Sequence, residues 1–197
     1  MPPSSRRRPG RPRAPDLDDR IVDAAFAELG DRGVAGFSLV SVARRAGVAK
    51  GTVYLRWPEP AGLIRAALER GPGSVPVPDR GDLQRDLLAL CDELAARLAP
   101  PVLRVWLRMR AEAPEHPELT HRFERRLLSP GHKAAAAVVH AAQGRGEARR
   151  DLDPDVVAEA LVSALIVHAT DGASPRSPSR AWREQLVAWA VQGLAAT

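Results

Sequence analysis

Apolar residues in this chain recur at spacings of three and four, and no run alternates with period two over the length of a strand. The first pattern keeps one face of a helix apolar, whereas a half-buried strand would need the second. The chain is therefore predicted to be all-α, with no internal repeat. Ile21, Ala24, Ala25, Phe26 and Leu29 mark a first helix that Asp16 or Asp18 can cap and that Gly30 with Gly33 can end. Ser38 is placed to cap a second helix carrying Leu39, Val42, Ala43 and Ala46 and ending at Gly47. A third covers 49–57, where Pro58 and Pro60 interrupt it, and a fourth covers 61–70. Residues 71–81, punctuated by Gly and Pro, break the chain. Beyond them 82–99, 101–113, 117–143, 154–170 and 179–195 read as helices. The expected organisation is a disordered arm over 1–15, a small helical domain over 16–70 and a larger helical domain over 82–197.

Several function classes are excluded at this level. A chain of 197 residues with 45% apolar and 27% charged residues buries a real core. The single Cys91 rules out an internal disulfide and a multi-cysteine zinc site, and no apolar run near the start suits a signal peptide, so a cytoplasmic protein is expected. The most apolar stretch, 156–169, contains Glu159 and falls short of the roughly 20 residues that span a bilayer. No Gly-x-Ser-x-Gly, phosphate loop or His-Glu-x-x-His pair is present, which leaves no catalytic residue, metal ligand or cofactor to nominate.

The charge is unevenly placed. Residues 1–70 hold 13 Arg and Lys against 8 Asp and Glu, while 71–197 hold 16 against 16. Arg6, Arg7, Arg8, Arg11 and Arg13 crowd the first 13 residues with no acid among them. A basic arm on a neutral body points to a polyanion, because fixed positive charge displaces counterions from phosphates.

The second and third predicted helices, joined by Ala46-Gly47-Val48, form a helix-turn-helix, whose second helix enters the DNA major groove. Val48, Val53 and Trp57 anchor that helix, leaving Lys50, Gly51, Thr52, Tyr54 and Arg56 to face outward. Lys50 brings an ammonium to the helix start, where the dipole favours an anion. Gly51 permits close backbone approach. Thr52 suits a base edge or a thymine methyl, Tyr54 a phosphate oxygen, and Arg56 a phosphate or a guanine.

In the larger domain, Val157, Leu161, Leu165 and His168 form one helical stripe, and Trp182, Leu186 and Trp189 another. Paired with their two-fold mates they would make a four-helix dimer interface through Val157, Leu161, Leu165, Trp182, Leu186 and Trp189. The same stripes would equally seal the core of one chain. Leu103, Trp106, Met109, Phe123 and Leu127 could line an apolar cavity, with His140 or His168 as polar anchors; each residue type is also ordinary core.

Residues 19–64 resemble the DNA-binding domain of TetR-type transcriptional repressors, most specifically in AGVAKGTVY followed by Leu55 and the basic-aromatic pair Arg56-Trp57. The resemblance implies a homodimer on a near-palindromic double-stranded operator, released by a small-molecule effector, here expected to be apolar. It implies DNA contacts at Lys50, Gly51, Thr52, Tyr54 and Arg56, a phosphate contact at Ser38, and a minor-groove role for the arm. Three positions depart from the family pattern. Ala49 replaces a Ser or Thr cap, at a cost of about 1 kcal/mol. The segment Pro58-Glu59-Pro60-Ala61 lacks the usual lysine, and Arg56-Trp57 replaces a commoner His-Phe. Activation in place of repression, and a ligand-independent architectural role on DNA, are the alternatives.

Overall fold

The computed structural model describes residues 14–70, 73–172 and 174–195. Among them are nine α-helices and no β-strand, with one isolated bridge between Ala148 and Ala195. The first group comprises α1 (Ala14–Arg32), α2 (Leu39–Ala46), α3 (Lys50–Arg56) and α4 (Pro60–Glu69). The second comprises α5 (Leu83–Arg97), α6 (Pro100–Ala111), α7 (Pro117–Arg145), α8 (Pro154–Thr170) and α9 (Arg180–Leu194). No helix among the described residues is long and apolar enough to cross a membrane.

Two helix starts differ from expectation for one reason. The sequence pattern treats Pro60 and Pro100 as interruptions, whereas each occupies the first turn of its helix, α4 and α6. A missing N–H is harmless there, because that N–H has no intrahelical acceptor. Helix α1 runs on through Gly30 to Arg32. Gly30 serves packing instead of termination: a β-carbon there would meet Val105 Cγ2 of α6 at 3.3 Å. Helix α7 continues through Pro130 and ends beyond the expected 143.

Helix α1 is the hub. Ile21, Ala25 and Leu29 are fully buried on it, and it packs against α2, α4 and α6. In the second group α8 lies along α7, and α9 packs on α5, where Arg183 Nε donates to Asp92 Oδ1 at 2.8 Å.

The two groups meet through specific contacts. Phe26 of α1 packs at 6.3 Å between ring centroids against Phe123 of α7. Val34 N–H donates to Glu112 Oε2 at 2.7 Å, and Arg108 Nη2 donates to the Asp31 carbonyl at 3.2 Å. Arg122 of α7 pairs with Glu69 at the end of α4. Gly33, which ends α1 at φ 69°, makes the Glu112 contact sterically feasible, since a β-carbon there would overlap the Glu112 carboxylate. Gly33→Ala is expected to cost more than the about 1–2 kcal/mol of a left-handed β-carbon alone, because Glu112 must also move. Urea denaturation should show a lower midpoint; a loss no larger than that of the left-handed β-carbon would mean that Glu112 swings aside without penalty.

Candidate nucleic-acid interface

Helices α2 and α3 are set by their termini. Ser38, extended at φ −135°, caps α2 by accepting from Ser41 N–H at 3.4 Å. Gly47 closes α2 in the left-handed conformation, and Val48 N–H returns to the Ala43 carbonyl at 3.0 Å. That closure is the Schellman arrangement, in which the residue after the glycine satisfies an orphan carbonyl. Arg20 of α1 donates to the Ala46 carbonyl at 2.6 Å, tying the turn to the hub. Helix α3 has no side-chain cap at Ala49; Thr52 N–H instead donates to the Ala49 carbonyl at 2.9 Å.

A carboxylate that sequence spacing does not single out fixes α2 on α1. Glu28 is fully buried at 0% exposure. Its Oε2 accepts from the Ser41 hydroxyl at 2.9 Å and from Arg45 at 3.4 Å, while Arg32 Nε stands 3.4 Å from Oε1. Nothing in the position of Glu28 along the chain distinguishes it from a solvated acid; only the fold brings α2 over it.

On α3, Val53 is the buried anchor at 0% exposure, with Val48 and Trp57 packed partly beneath. At about 100° per residue, positions 51 and 55 both fall roughly 160° from Val53 and so form the outermost line of the helix. Leu55 is accordingly 82% exposed, and no atom lies within 4 Å of a β-carbon built on Gly51. Lys50 and Tyr54 form one polar edge, the ammonium 5.3 Å from the Tyr54 ring centroid, and Thr52 lies toward the other edge. Leu55 is absent from the sequence-derived face, although its angle from Val53 marks it. Arg44, exposed on α2, is a second cation that the spacing of apolar residues does not reveal.

Arg56 requires correction. It lies only about 60° from Val53 on the helical wheel, and its guanidinium pairs with Asp18 of α1 instead of facing outward. Arg56 thus helps dock α3. Arg6, Arg7, Arg8, Arg11 and Arg13 lie outside the described residues.

The expected effector pocket is not assembled. Leu103, Met109 and Phe123 are fully packed into the core, and Trp106 is half-buried beneath Arg110. His140 is exposed, and His168 stacks on Trp182 at 4.0 Å between centroids. Leu127 borders a cavity, a space of about 20 Å³ that Leu94, Gly131 and Val162 also line. Core and cavity linings draw on the same residue types, so periodicity alone does not separate them.

The proposed dimer stripe also shifts. Leu161 and Leu165 face the chain's own core, Leu165 at 0% exposure, and Val157, Leu186 and Trp182 are half-buried. The apolar face left in solvent comprises Val156, Ala160 and Val167 of α8, with Trp189 of α9 at 67% exposure. Helix α8 is apolar nearly all round, so its sequence does not say which stripe turns inward. Trp189 and Val156 border a surface groove of about 190 Å³ that also reaches Ala160 and Gly193.

Residues 21–67 match the family model described as bacterial regulatory proteins, tetR family, and residues 77–190 match the tetracyclin repressor-like C-terminal domain. The chain is 37% identical over 153 residues to the DNA-binding transcriptional repressor TetR of Mycobacteroides abscessus, covering 75% of this chain and 78% of that one. It is 29% identical over 153 residues to the HTH-type transcriptional regulator AqdR of Rhodococcus erythropolis, covering 77% and 73% respectively. A solved TetR transcription regulator from Haloarcula marismortui superposes with a TM-score of 0.70 at 21% identity, over 92% of this chain and 99% of that one.

The vacant surroundings of Gly51 separate stability from recognition. Gly51→Ala is expected to stabilise the free protein by about 0.5–1 kcal/mol through helix propensity, read as a higher melting temperature. The same variant should bind DNA more weakly, because the methyl group occupies the line of closest approach; equal or tighter binding in a titration would refute that line.

Proposed function

The chain belongs to the TetR family of DNA-binding transcriptional regulators, and from that premise we propose that it is a ligand-responsive repressor acting as a homodimer on a near-palindromic operator. The observation that carries the reading is the outer face of α3. Gly51, Leu55, Lys50, Tyr54 and Thr52 are presented on a short helix whose inner side is pinned by Val53 and by the Arg56–Asp18 pair. A rigid, mostly polar face with a bare glycine and an exposed leucine suits a major groove: Lys50 and Tyr54 reach phosphates, Thr52 reaches a base edge, and Leu55 touches a thymine methyl. Ser38 has no acceptor for its O–H among the described residues, which leaves it able to donate to a phosphate.

In this reading residues 16–70 are the DNA-binding domain and 82–197 the dimerisation and effector domain. Two recognition helices must stand one turn of DNA apart, roughly 34 Å, to meet both half-sites. The solvent-facing strip of Val156, Ala160, Val167 and Trp189 supports an isologous contact in which each copy offers the same patch. An effector in the larger domain then favours a dimer whose α3 helices are wrongly spaced. The Phe26–Phe123, Val34–Glu112 and Glu69–Arg122 contacts give that rearrangement a route to α1 and α4.

Two experiments test this. Purified protein titrated against the DNA upstream of its own coding region should bind with an affinity that falls steeply with salt. Lys50→Ala should weaken that binding and flatten the dependence of log affinity on log salt by about one unit, the value for a single neutralised phosphate; undiminished affinity would place the reading face elsewhere. Trp189→Asp should convert a sedimenting dimer to monomer while leaving the helical circular dichroism intact. A variant that remains dimeric would remove α9 from the interface.

A further inference from the structure

An open groove of about 900 Å³ lies between the end of α4, the segment 73–77 and the first half of α7. Its apolar surface comes from Val75, Val77 and Pro130, lying over the buried Leu68 and Ala134, and its rim is basic, with Arg125, Arg126 and Lys133 beside the Glu69–Arg122 pair. Among the described residues, none of Arg125, Arg126 and Lys133 has a carboxylate partner, whereas Arg97, Arg110, Arg145, Arg149, Arg180 and Arg183 of the larger group are paired. Their spacing along α7 keeps them on one side of the helix, and the row from Arg122 to Lys133 spans roughly 16 Å at 1.5 Å per residue. The cavity of about 20 Å³ lies behind Val75, which lines both spaces.

We infer that this groove binds an anionic amphiphile, a carboxylate or phosphate head on an aliphatic chain, and that this ligand is the effector. The inference rests on the regulator reading above and replaces the expected apolar effector with a charged one. Three unpaired cations around an apolar floor favour an anion whose tail covers Val75, Val77 and Pro130; a neutral aliphatic molecule leaves the cations unanswered, and a small inorganic anion leaves the floor wet. The groove also touches the DNA-binding group directly. Glu69 is the last residue of α4, and an anionic head competes with it for Arg122. Loss of that pair removes one tie between α4 and α7, which gives the ligand a differential hold on the two arrangements of the chain.

The test uses the full chain without DNA first. Calorimetric titration with decanoate, decyl phosphate and 1-decanol should show binding of at least one anion, with the tighter identifying the head group and the alcohol about tenfold weaker or worse. The double variant Arg126→Glu/Lys133→Glu should lose about tenfold or more in affinity for the anion, while Arg150→Glu, which does not line the groove, should match the parent chain. Equal binding of the alcohol, no binding of either anion, or an unaffected double variant overturns the site. The same ligand is then added to the protein–DNA complex. Release of DNA supports the effector role, and anion binding with unchanged DNA affinity overturns that role. Failure of the unliganded chain to bind DNA would instead sink the regulator reading, and the DNA-free titration would still decide the groove.

Discussion

Glu28 is buried to the last atom on α1; its Oε2 has hydrogen-bond donors only while Ser41 and Arg45 of α2 stand over it, and its Oε1 has none among the described residues. A charge removed from water in this way penalises any pose of α2 that leaves it unpaired. The angle between α1 and α2 is therefore defined electrostatically as well as by the packing of Val42 and Ala46. Helix α3 inherits that angle through the closed turn at Gly47 and the Arg20–Ala46 hydrogen bond, and Arg56 adds a second tie to α1 at Asp18. The short reading helix lacks a side-chain cap, so its orientation comes from these neighbours and not from its own stability.

The same hub reaches the other way. The far end of α1 is gripped by α6 through Glu112 and Arg108, and its middle by α7 through Phe26. A displacement of α6 or α7 thus meets α1 at two separated points, one polar and one apolar. Two such points transmit rotation as well as translation, which a single contact does not.

Much of this is legible in the sequence. The all-helical class and the helix-turn-helix follow from apolar spacing and from the turn chemistry of Ser38 and Gly47, because both are local properties. Helix ends at proline are displaced where position within the first turn matters more than residue type. The faces of α3 are misassigned at Leu55 and Arg56 when three anchors receive equal weight, whereas Val53 alone sets the inward direction. On α8 the stripe Leu161 and Leu165 is as apolar as Val156 and Val167, and only the neighbouring α7 decides between them. Glu28 and the groove beside Arg126 are properties of assembled helices, each needing a second element that no local spacing encodes.

Pro130 gives α7 a mechanical property that its length conceals. With no N–H at 130, the carbonyl of Arg126 loses its helical partner, and the next residue is a glycine that admits Leu94 of α5 to 3.0 Å of where a β-carbon would sit. The rod is consequently notched. One half, bearing Thr120, Arg122 and Phe123, is held by α6, α4 and α1; the other, bearing Ala135, Val138 and Ala142, lies along α8. A missing helical hydrogen bond makes that joint easier to bend than the turns around it, so a push on either half meets its least resistance there.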